Sequence, residues 1–453
     1  MVKIKSFSSA ASEWLETILF ERFGIKLQIT QYDSMLFISI LGKKRKIRFD
    51  TLEQFFHENN SDFPCYFWKA SSEGFEASID DLIPAPSKAP LIEPLVEFSD
   101  SGAVIHYDIL GLTYWMLARI EEIGRQDLDR HQRFPAVASH AYSHGYLERP
   151  IVDEWLIILG QVISKVWPHV KQKNHSFRMK VSHDVDVPSL YAFKPWTKIA
   201  RMMFSFIVKR LDLKSALLAP YIKIGTIKKL HPLDPCNTFD WLMDQSDEQN
   251  IISAFYFICG NTDANKDADY SLEHPAIRRL LRDIYERGHE IGLHPSYNTF
   301  RAPQLIKNEA DRLRSICEEE GIKQDNWGGR MHYLRWEQPV TLCAWDSAGM
   351  TYDSTLGYAD RPGFRCGTCH EYPGFNAVTQ EKLKIRVRPL IVMECTIIER
   401  TYLGLGLSEE ATEKMQKLKN NCRKVSGTFS LLWHNSFLKS EGLKSLYKTI
   451  LRS

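Results

Sequence analysis

From residue 177 onward the sequence alternates short apolar runs with amphipathic stretches, and no other feature constrains the fold as strongly. The runs fall at 177–186, 251–258, 289–294, 326–332, 351–356, 390–397 and 427–435, and they are rich in β-branched and aromatic residues. Helix-period stretches fall at roughly 237–249, 274–287, 303–320, 338–348, 408–424 and 439–450. A helix between two strands returns the chain to the same end of the sheet, so such strands pair in parallel. This many units predicts an α/β domain built as a closed or nearly closed barrel. In barrels of this kind the chemistry sits at the C-terminal ends of the strands.

Residues 1–172 read as a separate, smaller α+β unit ahead of the barrel at 173–453. "MLFISILG" (35–42) has strand character and 108–124 is an amphipathic helix. The Pro-rich connector 83–94 between them cannot be helical. A second helix covers 149–167, with Pro150 in its first turn, and the polar stretch 171–176 marks the boundary. Between the helices, 129–150 holds three histidines among aromatics. Their spacing makes no metal site, and packing against the barrel or oligomerisation is expected there.

Fifty-eight Lys and Arg stand against 56 Asp and Glu, so bulk charge points to neither nucleic acid nor a membrane. The first residues start basic but lack an apolar core, and no secretory signal is expected. Nine cysteines, most in apolar segments, suit a reducing cytoplasm. That bears on "GFRCGTCHEYPGF" (363–375 region), where Cys366, Cys369 and His370 have the spacing for haem attachment, a redox dithiol or half a zinc site. Haem attachment needs export and is excluded on compartment. A redox dithiol lacks partner chemistry, and zinc lacks an evident fourth ligand. The stretch is expected to be a substrate loop in which Arg365 faces an anionic sugar group and the thiols are small fillers.

Four of the apolar runs end in unusual polar residues. The first closes with Ser182-His183-Asp184-Val185-Asp186, where the two carboxylates point to one side of the strand. Paired carboxylates can divide labour, one binding metal and one acting as base. His294 tips the third run, with Asn298 four residues on; Arg330, His332 and Arg335 follow the fourth; His434 ends the last. Each alone is equally a solvated strand end, but together they describe a site.

These residues together resemble the polysaccharide deacetylase family, the NodB-homology group of carbohydrate esterase family 4, over about 175–450. The family's threonine–phenylalanine–aspartate–aspartate motif is matched by 182–186 with one residue inserted. Its paired histidines are matched by His294, with Asn298 in the second place. Its arginine is matched by Arg330, and its leucine–two–histidine motif by Leu431 to His434. The stretch 352–368 resembles a subgroup associated with bacterial surface polysaccharides, whose members carry an extra N-terminal domain. The resemblance implies a distorted (β/α)7 barrel and one divalent metal, zinc above others, held by Asp186, His294 and Asn298. It implies that Asp184 is the base, paired with Arg330, and that His434 is the acid. Tyr297, His332, Arg365 and Trp433 are the candidate substrate contacts. The implied reaction is removal of an N-acetyl group from a sugar during surface polysaccharide biosynthesis. Because an amide oxygen is a weaker zinc donor than imidazole, His332 or water is the alternative third ligand. A non-catalytic carbohydrate-binding or scaffolding protein on this fold is the alternative function.

One insertion stands apart. Residues 193–231 carry nine Lys or Arg and one Asp, with apolar residues at near-helical spacing. The segment, within an insertion spanning 193–235, is either a helical cover for the barrel or an interfacial element making peripheral contact with anionic lipid.

Overall fold

The computed structural model describes residues 7–32 and 35–452. The chain opens with helix Ser9–Phe23 and seven short strands: β1 (Leu27–Tyr32), β2 (Met35–Ile40), β3 (Lys46–Phe49), β4 (Cys65–Lys69), β5 (Leu82–Pro86), β6 (Val96–Ser99) and β7 (Gly102–Ile105). Five of them form a mixed sheet in the order β1-β2-β3-β7-β6, while β4 and β5 make a separate antiparallel ribbon. The ribbon uses part of the Pro-rich connector, because a two-stranded edge tolerates residues that cannot donate. Helices Ile109–Leu117 and Ile151–Val166 follow.

The second sheet comprises β8 (Arg178–Val185), β9 (Ala254–Ile258), β10 (Glu290–His294), β11 (Gly328–Gly329), β12 (Tyr352–Asp353), β13 (Tyr372–Asn376), β14 (Glu381–Val387), β15 (Val392–Met393) and β16 (Thr428–Leu432). Its order is β13-β14-β12-β11-β10-β9-β8-β16-β15, parallel throughout except for the β13–β14 hairpin. Every apolar run read from the sequence contributes a parallel strand. The hairpin was not anticipated, and the run 390–397 gives only two strand residues before turning into helix Glu394–Ile398. The sheet is open among the described residues: no pairing joins its two edge strands. Instead the segment 388–391 bridges the gap, with Arg388 N–H on Asp353 O, Leu390 N–H on Leu356 O and Ile391 N–H on Ser430 O.

The two parts share one apolar core. Trp14 stacks on Phe375 with ring centroids 4.8 Å apart and donates to Pro373 O at 2.8 Å. The residues of "GFRCGTCH" lie in this contact. Gly367 O accepts from Val152 N–H, and Cys369 O accepts from Thr428 N–H at the N-terminal end of β16. Arg365 is buried, with Glu122 holding its guanidinium at 2.9 and 2.5 Å. The expected substrate loop is therefore a packing element. A guanidinium this deep needs a carboxylate, and Glu122, far away in sequence, provides it.

Candidate functional site

β8 alternates its side chains, so Ser182 and Asp184 face one side of the sheet while His183 points to the other. His183 packs against Phe255 and Tyr447 and donates to Trp433 O at 2.7 Å. Asp184 pairs with Arg330, Nη1 to Oδ1, at 2.8 Å. Arg330 is fixed by Ser182 Oγ at 2.9 Å and by Ser354 O at 3.0 Å. The glycines of β11 let the strand carrying Arg330 approach this closely: a Cβ at Gly329 would collide with Leu293 O.

Asp186, His294 and His332 bring ligand atoms within 4.8 Å of one another. His294 Nε2 is 3.2 Å from Asp186 Oδ1 and 3.0 Å from His332 Nδ1. The far nitrogens of both rings meet backbone carbonyls: His294 Nδ1 reaches Arg330 O at 2.6 Å and His332 Nε2 reaches Lys266 O at 2.8 Å. A carbonyl can only accept, so each far nitrogen carries a hydrogen. In the neutral rings both near nitrogens are then bare lone pairs facing each other. Asp186 Oδ1 joins them, buried and without a hydrogen-bond donor. Three ligand atoms converging in this way could hold a cation between them, and the outer carbonyl contacts are those that orient metal-binding histidines. The charges gathered here shift one another's titration. Burial alone would lower His294, but Asp184 and Asp186 outweigh it and raise the ring above its usual value. Burial lowers His332. Burial would raise Asp186, yet the three surrounding histidines hold it well below the usual carboxylate range.

His332 reaches this position through a reversal of the chain. Tyr333 and Leu334 take left-handed φ of 60° and 55°, folding the segment over the site. The N-terminal part pins the fold: Arg133 donates to Tyr333 O at 2.7 Å, and His131 contacts Tyr297 Oη at 2.9 Å. The histidine-rich stretch thus packs on the loops that follow β10 and β11, and Arg133 lines the cleft.

On the opposite side, His434 Nδ1 lies 2.6 Å from Glu394 Oε1 and its Nε2 lies 3.7 Å from Asp186 Oδ2. Burial opposes charging His434, but Glu394 overcomes it and raises the imidazole well above its ordinary value. Cys395, pushed up to about 12 mainly by burial, is a neutral thiol beside them. Glu394 was not anticipated. Its signal was a carboxylate inside the apolar run "LIVMECTI", where a charge needs a partner.

A cleft of about 590 Å³ holds Asp184, Asp186, His294, His332 and His434, with Tyr333, Tyr402 and Phe437 among its walls. Five expected residues are not among its lining: Arg330 and Arg365, described above, and Asn298, Trp433 and Tyr297. Asn298 is not in the metal-ligating group: its amide donates to Thr262 O at 3.0 Å and its Oδ1 accepts from Arg335 at 3.3 Å. The turn after β10 points it out of the site, and His332 stands in the third place. Trp433 is fully buried against Tyr447, on the outward side of its strand. Tyr297 lies beneath Lys266 and Arg335, with its hydroxyl on His131, so it supports the wall without lining it.

Residues 2–168 match a family described as one of unknown function (DUF7033). No curated protein sequence matches the chain. Among solved structures, a candidate polysaccharide deacetylase from Mycobacterium smegmatis is similar at 17% identity and TM-score 0.38, covering 61% of this chain and 83% of its own. A structure titled Puue allantoinase is similar at 11% identity and TM-score 0.34, covering 61% of this chain and 82% of its own.

Proposed function

We propose that the protein is a metal-dependent hydrolase that removes an N-acetyl group from a sugar, with Asp186, His294 and His332 holding one divalent ion, zinc above others. The observation that carries this reading is the convergence of two oriented imidazole lone pairs on an unsatisfied carboxylate oxygen, with a carboxylate–arginine pair on one side and a carboxylate–histidine pair on the other. A divalent cation held there supplies Lewis acidity toward an amide carbonyl and toward water.

Asp184 spends one oxygen on Arg330 and keeps Oδ2 toward the site, 3.6 Å from His294 Nε2. It takes the proton of the attacking water. His434, kept protonated by Glu394, donates from Nε2 to the departing amine. The aromatic walls suit the apolar faces of a sugar ring, and the carboxylates and histidines suit its polar edge. His332 in the place expected of Asn298 supports hydrolysis over a non-catalytic carbohydrate-binding scaffold, because the ligand set no longer depends on a weak amide donor. Action in surface polysaccharide biosynthesis belongs to the same proposal.

The test uses protein purified without chelator. About one divalent metal per chain is expected from three converging ligands, with acetate release from N-acetylated oligosaccharides. Asp184→Asn should abolish release and retain the metal. Absence of bound metal, or acetate release undiminished in Asp184→Asn, would sink the proposal.

A further inference from the structure

Residues 196–225 form a helical hairpin, Trp196–Arg210 and Leu213–Gly225, inserted after β8. Each helix has an inner face. Ile199, Ala219 and Ile222 pack with Tyr191 in a small cluster separate from the main core. The second helix also has an outer apolar face: Leu213, Leu217, Tyr221 and Ile224 recur at helical spacing and are 60–71% exposed. On the first helix Phe204 and Val208 are exposed one turn apart, and Leu211 at the hairpin tip is 85% exposed.

This exposure is concentrated. Eleven of the 24 large apolar side chains exposed among the described residues fall within 196–233. Single exposed apolar residues need no explanation, but contiguous stripes mark a surface that something covers. The flanking charge says what kind of surface. Arg201, Lys209, Lys214, Lys228 and Lys229 are exposed, and among the described residues none of them forms an ion pair. Lys194 and Lys198 pair with Asp269. Asp212 is the one acidic residue between 193 and 231. No helix among the described residues is long and apolar enough to cross a membrane. An apolar stripe bordered by uncompensated cations on short helices is the pattern of an element that lies in the headgroup layer.

We infer that the hairpin 196–225, with the Lys228-Lys229 pair that follows it, docks the protein on the surface of an anionic phospholipid bilayer. Phe193, Lys194 and Lys198 at the base of the hairpin also line the cleft, so docking brings the cleft to the headgroups. The docking itself does not rest on the hydrolase reading.

Flotation of the full chain with vesicles tests it. Phosphatidylcholine vesicles containing phosphatidylglycerol should recover the protein about tenfold better than pure phosphatidylcholine, with the difference shrinking at high salt. Leu217→Ser/Tyr221→Ser/Ile224→Ser and, separately, Lys228→Glu/Lys229→Glu should each lower recovery about tenfold. Both sets are exposed, so the thermal midpoint should stay put, which separates lost docking from lost folding. Equal recovery with neutral and anionic vesicles, or recovery unchanged in both variants, would overturn the inference. So would failure to float combined with a concentration-dependent dimer that the serine variant abolishes, since the stripe would then be covered by a second copy of this chain.

Discussion

Replacing His332 with alanine, beside Asn298 with alanine, separates the proposed ligand set from the one the sequence motif suggests. His332 is buried, its Nε2–H is held by Lys266 O, and its Nδ1 faces His294 Nε2 at 3.0 Å. Loss of groups that merely orient a ligand lowers metal affinity about 10–100-fold. Loss of the ligand itself should reach at least the upper end, about 100-fold, which corresponds to about 2.7 kcal/mol. Asn298 bonds Thr262 and Arg335 in the neighbouring loops, so Asn298→Ala should leave affinity within about threefold. Competition with a chromophoric chelator measures both. Thermal unfolding gives a second readout. At a free-metal concentration about 1,000 times the wild-type Kd, bound metal should stabilise the wild type by about 4.1 kcal/mol. The same concentration is only about ten times the Kd of His332→Ala, and the stabilisation should fall to about 1.4 kcal/mol. If Asn298→Ala loses the metal and His332→Ala keeps it, the lone-pair reasoning is wrong.

Glu394→Gln removes the carboxylate that raises His434. A proton donor must be charged to act, so the alkaline limb of kcat/KM should move to lower pH, and activity at pH 8 should fall more than at pH 6; an unmoved limb removes His434 from the acid role. Arg330→Met strands the Asp184 carboxylate, and breaking such a buried pair costs about 3–5 kcal/mol. The Asp184→Asn/Arg330→Met double variant should lose less than the sum of the singles in chemical denaturation, and strict additivity would deny the coupling. Arg365→Met should destabilise by less than the about 3–5 kcal/mol of a stranded buried charge, because Arg119 still holds Glu122 at 2.8 Å, and should leave KM unchanged in the folded fraction; a KM effect without a stability effect would return Arg365 to the substrate.

The parts of the site legible in the sequence are those that depend on local order. Strand period places Asp184 and Ser182 on one side of β8, and the strand ends carry His294, Arg330 and His434 because parallel strands all finish at the same edge of the sheet. Alternating runs also predict the parallel sheet, since a helical return permits little else. What the sequence could not show depends on groups far apart in the chain. Asn298 has the right spacing after His294, but the turn aims it away, while the left-handed residues after His332 fold that ring inward. Arg365 looked like a substrate cation until Glu122, more than 240 residues earlier, buried it. Glu394 became visible only where helix Glu394–Ile398 brings it against His434. The sequence by itself determined that Asp184, His294 and His434 lie at or just beyond the ends of parallel strands, because strand geometry is set by neighbouring residues. Only the tertiary structure decided which of them face one another, because an ion pair or a ligand set is made of distances between segments that periodicity does not contain.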